Sequence, residues 1–148
     1  LAVIVPSSVT LKGRFQFETD ILNLISDKHF ASGDPAHVPL GIYARQALQT
    51  VDAWNTTKTF LVRTMDSKMA LRLVARKEVS LGIVYASDAQ STNKVRIVDT
   101  IPLSSHEPIR YPIALISTNK NPNARRFLEF LFTPEIRKLF QQHGFSLP

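Results

Sequence analysis

The sequence has no cysteine, and among its 148 residues only five glycines, two methionines and one tryptophan. Without a thiol there is neither a disulfide nor a thiolate metal site, and the redox compartment is left undecided. The histidines, His29, His37, His106 and His143, fall on separate segments with no ligand spacing, which argues against an imidazole metal site. Apolar runs reach only five or six residues, too short to cross a bilayer as a helix. The carboxylates form no pairing suited to acid-base work. Basic residues are in excess, giving a formal charge of +6 and a pI near 9.9, but no aromatics interleave with them in the manner that stacks bases. Arg45, Arg63, Lys68, Arg72, Arg76 and Lys77 come nearest to a cluster, and Arg72, Arg76 and Lys77 read as the wet side of a helix. The charge by itself leaves open nucleic acid, an anionic surface or a small anion as partner, and without such interleaving nucleic acid is not expected.

What the chain does have is 44% apolar residues, enough for one substantial core. Its most informative stretch runs from Ser32 to Tyr43. Gly33, Asp34 and Pro35 set a turn, and Pro39 suits the first position of a helix predicted over about Pro39 to Thr50. The amides of Leu40 and Gly41 then lack a partner within the helix and lie at the positive end of its dipole, where an anion binds readily. His37 is expected to order this loop by hydrogen bonds.

Taken in order, Leu1 to Val5 is an unbroken apolar run with the pattern of a strand buried on both faces of a parallel sheet, and it reads as the inside of a core rather than a natural terminus. Ser7 to Phe17 reads as a loop, and Ile21, Leu22, Leu24 and Ile25 as one side of a helix capped by Thr19 or Asp20. Strands are predicted at His29 to Ala31, Thr59 to Thr64, Leu81 to Tyr85, Lys94 to Asp99 and Tyr111 to Ser117. Trp54 plugs a turn after the first long helix. Asp66 caps a second helix whose free amides are those of Ser67 and Lys68, and Ala86 to Ala89 forms a short helical turn. Asn121 and Thr133 cap two final helices, with Phe127, Leu128, Phe130 and Leu131 inward on the first and Gly144 ending the second. The alternation predicts an α/β fold with a mainly parallel sheet.

Ligands of such sheets gather where strands end and helices begin. Leu40, Ser67 and Tyr85 all fall at such edges and together offer neutral donors suited to a small oxyanion. Ser104, Ser105 and His106, with Asp99 or Glu107, have the residue types of a nucleophilic triad, but they lie in a Pro-flanked connection without the elbow that exposes a serine.

Gly33-Asp34-Pro35-Ala36-His37-Val38-Pro39-Leu40-Gly41-Ile42-Tyr43-Ala44, Leu81-Gly82-Ile83-Val84-Tyr85-Ala86-Ser87-Asp88-Ala89, Ile101-Pro102 with His106, Tyr111-Pro112-Ile113-Ala114 and Gly144-Phe145 closely resemble the periplasmic molybdate-binding proteins of bacterial ABC transporters. The resemblance runs through essentially the whole chain. It implies a type II periplasmic-binding-protein fold, two α/β lobes joined by crossing strands that close on molybdate or tungstate. No catalysis and no cofactor beyond that ligand are implied, and the partner is a membrane permease. The family holds its oxyanion with neutral donors. Its ligands fall on Leu40, where alanine is more usual, on Ser67, where valine is familiar, both through backbone amides, and on the hydroxyl of Tyr85. Two further serine ligands belong to an N-terminal lobe without counterpart in this chain. The resemblance thus implies a crossing strand at 1–5, an anion-binding lobe at 6–110, and a crossing strand with C-terminal helices at 111–148 that return to the other lobe. Half a site is expected to bind weakly, and faces meant for the other lobe are expected to favour a dimer or a domain swap. Two alternatives are the effector-sensing domain of a transcription regulator with the same fold, and an enzyme using Ser105 and His106.

Overall fold

The computed structural model describes residues 1–11, 13–25 and 28–145. Lys12, in the loop expected over Ser7 to Phe17, and the last three residues of the segment expected at 111–148 lie outside the described residues. Strands and helices alternate as β1 (Ala2–Pro6), α1 (Phe17–Ile25), β2 (Phe30–Gly33), α2 (Pro39–Thr50), α3 (Trp54–Thr57), β3 (Leu61–Thr64), α4 (Ser67–Ala75), β4 (Leu81–Val84), α5 (Ala86–Ala89) and β5 (Val95–Thr100), followed by α6 (Pro122–Leu131) and α7 (Pro134–Gln142). The chain divides into two units, Leu1–Pro108 and Ile109–Pro148.

The first unit is built on a five-stranded sheet in the order β3-β2-β4-β1-β5. Strand β2 pairs in parallel with β3 and β4, whereas β1 runs antiparallel to both β4 and β5. Four strands therefore share one direction and β1 opposes them. The run at the start of the chain is buried along its length, as its composition predicts, but its direction corrects the sequence reading. A strand covered by helices on both faces is apolar whichever way it points, so the run could not report its own orientation.

Alternate side chains of the strands feed two cores. Val3, Val5, Phe30, Leu81 and Ile83 pack with Phe17, Ile21 and Ile25 of α1 and with Ala44, Ala47 and Leu48 of α2. On the opposite face Ile4, Ala31 and Val84 pack with Ala70, Leu71 and Val74 of α4, Ala89 of α5 and Val95. Each fully buried Phe, Leu or Ile contributes about 1.5–3 kcal/mol, which makes these two layers the main source of stability. The result is a three-layer α/β/α unit.

Local signals explain most boundaries. Pro39 opens α2 without any side-chain cap, and Asp66 caps α4 by accepting the Met69 N–H at 2.6 Å. Helix α1 begins at Phe17, earlier than the expected cap at Thr19 or Asp20. The reason is a distant acceptor: the Phe17 N–H donates to Asp99 Oδ2 at 2.7 Å, while Asp20 accepts from Gln16 N–H at 2.8 Å. Before β3, Lys58–Phe60 forms a 3-10 turn, which shortens the strand expected from Thr59.

In the second unit, Asn121 caps α6 through the Asn123 N–H at 2.9 Å, and Gly144, at φ +82°, ends α7. Thr133, expected to cap α7, makes no side-chain cap bond, and its hydroxyl is buried without a partner among the described residues. Tyr111 to Ser117 forms no strand, because no ladder pairs with it among the described residues. Nor are the apolar positions of α6 buried, although the sequence places Phe127, Leu128, Phe130 and Leu131 inward. Two short helices offer each other too little surface to cover such stripes, which need a further layer. Within the unit, Phe145 stacks edge-on against Tyr111 and Phe140, with ring centroids 5.7 and 5.9 Å away.

Candidate anion-binding site

The three neighbouring parallel strands β3, β2 and β4 end at one edge of the sheet, and the chain leaves each of them into a helix. From β2 it turns to α2, whose buried residues join the first core; from β3 and β4 it turns to α4 and α5, whose buried residues join the second. A connection that departs to one face, between two that depart to the other, makes the end of β2 a topological switch point of the sheet. This is the place where open α/β sheets bind ligands.

Leu40 stands on the α2 side of this switch point, and Ser67 and Tyr85 stand on the other side. Leu40 lies in the first turn of α2, its side chain buried, so that its contribution to the edge is its amide. The helical ladder there begins with the Ile42 N–H donating to the Val38 carbonyl at 3.1 Å, which leaves the amides of Leu40 and Gly41 ahead of it. Ser67 is the first residue of α4. Its amide and that of Lys68 precede the Met69 N–H taken by Asp66. Tyr85 follows β4 directly and is half-buried. Its N–H donates to Ser67 Oγ at 3.3 Å, so these two residues are in contact.

Close backbone approach holds the first side in place. A Cβ added to Gly33 would stand 2.7 Å from the Gly41 nitrogen and 2.8 Å from Val38 Cγ1, and one on Gly41 would meet the Gly33 carbonyl. Only glycine at both positions lets the first turn of α2 rest on the end of β2. Within the loop the ordering side chain is Asp34, not His37: Asp34 Oδ1 accepts the Ala36 N–H at 2.9 Å, and its carbonyl accepts the Val38 N–H at 2.8 Å. A short acceptor at the start of the turn does locally what the imidazole was expected to do.

Sequence reasoning missed Ser32 and Thr64. Both are buried, and their hydroxyls stitch the strand ends together: Ser32 Oγ donates to the Ile83 carbonyl at 3.0 Å, and Thr64 Oγ1 lies 3.0 Å from the Ser32 carbonyl and 2.9 Å from that of Asp66. The Asp34 N–H extends the β2–β3 ladder by donating to the Thr64 carbonyl at 2.9 Å. A hydroxyl at the end of an otherwise apolar strand was the available signal.

Ser105 and His106 lie apart from this edge, against the outer part of α2. Thr50 Oγ1 donates to the Ser105 carbonyl at 3.1 Å, the Glu107 N–H to Gln46 Oε1 at 3.0 Å, and the Tyr43 and His106 rings stand 5.8 Å apart. The Ser105 hydroxyl donates to the Pro102 carbonyl at 2.6 Å, and His106 Nδ1 is bonded to the Glu107 carbonyl at 2.8 Å. Both side chains are buried; Ser105 Oγ and His106 Nδ1 are bonded to backbone rather than to each other, and His106 Nε2 has no partner among the described residues. A nucleophile–base pair is therefore not assembled. Among the described residues no group of three His, Asp or Glu could hold a metal ion.

Backbone amides at two helix starts, with Tyr85 beside one of them, thus lie along the edge where three neighbouring strands end. Residues 10–146 match the family described as bacterial extracellular solute-binding proteins, and the chain belongs to that family. The family is one of solute-binding proteins, not of enzymes. It is 38% identical over 99% of its length to the molybdate-binding protein ModA of Escherichia coli, and 35% identical over 99% to ModA of Haemophilus influenzae. The substrate-binding domain of a putative molybdenum ABC transporter from Clostridium difficile superposes on 99% of the chain with a TM-score of 0.81 at 28% identity. The chain spans 58% of the length of the two curated relatives and 62% of that domain.

Proposed function

We propose that this chain binds molybdate or tungstate as part of the substrate-binding component of an ABC importer, through the amides of Leu40 and Ser67 and the hydroxyl of Tyr85. The observation that carries the reading is the switch point at the end of β2, where helices depart to opposite faces, together with the hydrogen bond from the Tyr85 N–H to Ser67 Oγ. The names of the relatives supply the ligand: two are molybdate-binding, and the structural neighbour belongs to a molybdenum transporter. The partner is then a membrane permease and the location periplasmic or anchored at the cell surface. The family's description as extracellular favours this over the effector-sensing domain of a regulator.

On this reading residues 6–110 act as the anion-binding lobe, the first strand crosses to a second lobe, and residues 111–148 return to it. Leu40, Ser67 and Tyr85 form part of the site, in keeping with the share of the relatives' length that the chain spans. A net hydrogen bond to a charged partner contributes about 1.5–3 kcal/mol, so three offer roughly 5–9 kcal/mol. Loss of translational and rotational freedom opposes binding by an estimated 4–15 kcal/mol. The chain alone should therefore bind molybdate weakly, in the millimolar range. Titration with sodium molybdate, read by amide chemical shifts, is the test. Shifts confined to the strand-end amides, and a loss of about tenfold in affinity for Tyr85→Phe, are expected. Shifts elsewhere, or unchanged affinity in Tyr85→Phe, would overturn the assignment. The exposed apolar side chains of α6 and α7 favour self-association of the chain when nothing else covers them.

A further inference from the structure

Three buried hydroxyls line the strand ends, and they are not used alike. Those of Ser32 and Thr64 have their protons committed to main-chain carbonyls. Ser67 Oγ, only 6% of whose residue surface is exposed, instead accepts, taking the Tyr85 N–H at 3.3 Å. A hydroxyl carries one proton and two lone pairs, so the bond from Tyr85 occupies acceptor capacity and leaves the proton to be given. An N–H donated to the oxygen also polarises the O–H and strengthens it as a donor. Ser67 stands at the first position of α4, so its hydroxyl and its amide leave the same residue at the positive end of the helix.

We infer that the Ser67 hydroxyl is a fourth neutral donor to the bound oxyanion, backed by the Tyr85 N–H, so that this residue contributes through side chain and main chain together. The inference rests on the site reading above and adds to it a contribution that an amide alone would not supply. It also sets a chemical preference. A tetrahedral dianion with an unprotonated oxygen facing Ser67 takes both bonds, and no apolar side chain at this position could offer the second.

The test compares the chain with Ser67→Ala, which removes the hydroxyl, and Ser67→Thr, which keeps it. Each is titrated with sodium molybdate while the amide resonances of Leu40, Gly41 and Tyr85 are followed, and a dispersed unliganded spectrum shows that each variant is folded. Affinity about tenfold or more weaker in Ser67→Ala, with Ser67→Thr within about threefold of the parent, is the expected pattern. Ser67→Ala within about twofold of the parent overturns the inference and leaves the amide site standing. Equal weakening in both variants overturns it as well, since packing rather than the hydroxyl would then be responsible. No response of the three amides in the parent chain would overturn the site reading itself, and the inference with it.

Discussion

Gly41→Ala sets two effects of opposite sign against each other. Position 41 is inside the first turn of α2, and alanine in a helix is better than glycine by roughly 0.5–1 kcal/mol, so propensity alone predicts a gain. The added methyl would, however, meet the Gly33 carbonyl and come within 2.5 Å of the Asp34 carbonyl carbon. Neither neighbour is a flexible side chain that could swing away; both belong to the backbone at the end of β2, tied by the Asp34 N–H to Thr64. Forcing extra volume into a packed site costs about 1–3 kcal/mol, and backbone opposition places this case at the upper end. The net expectation is a loss of about 1–2 kcal/mol, which for a unit of this size lowers Tm by roughly 4–8 °C per kcal/mol. Urea unfolding followed by the fluorescence of Trp54, the only tryptophan, reads the first unit directly. A variant as stable as the parent, or more stable, would show that the close approach of Gly33 and Gly41 does not constrain the loop and that propensity decides.

Thr64→Val keeps the shape of a buried side chain but removes the hydroxyl that reaches the Ser32 and Asp66 carbonyls; the loss should be about 1–3 kcal/mol by the same urea assay, and less than 0.5 kcal/mol would remove the hydroxyl stitch from the account. Light scattering of the chain at increasing concentration should show a dimer or larger species, and substitution of Phe127 and Phe130 by serine should shift it toward monomer; a clean monomer throughout would count against self-association through the α6 and α7 faces.

The legible parts of the fold were those with a local cause. Pro39 at the start of α2, Asp66 before Ser67 and the apolar run at Leu81 each carry their reason within a few residues, and the structure places those elements there. The α1 boundary failed because its cap is Asp99, 82 positions away. The direction of β1 failed because burial on both faces erases the alternation that would have distinguished its setting. Tyr111 to Ser117 has strand composition and no neighbour to pair with among the described residues, and composition cannot supply a neighbour. For the site, sequence alone could say that Leu40, Ser67 and Tyr85 each follow a strand. That the three strands are adjacent, and that the middle one sends its helix to the opposite face, depends on a strand order no segment encodes by itself.

The chemistry of the proposed site does not call for positive charge. Arg45 is turned onto Trp54, its guanidinium carbon 5.7 Å from the ring centroid, and the side chain of Lys68, in the first turn of α4, is exposed. A lysine or arginine would attract any anion of the right charge, and its long side chain would have to be ordered on binding. Amides fixed at the starts of α2 and α4 are already ordered, and they only donate. Such amides then favour oxygens that carry no proton, because an O–H turned toward an amide finds no acceptor there, at a cost of about 1–3 kcal/mol. Ser67 fits that logic: with the Tyr85 N–H already on its oxygen, its part is to give a proton rather than receive one. A preference for unprotonated oxygens therefore follows from the amides, and size is left to the dimensions of the site.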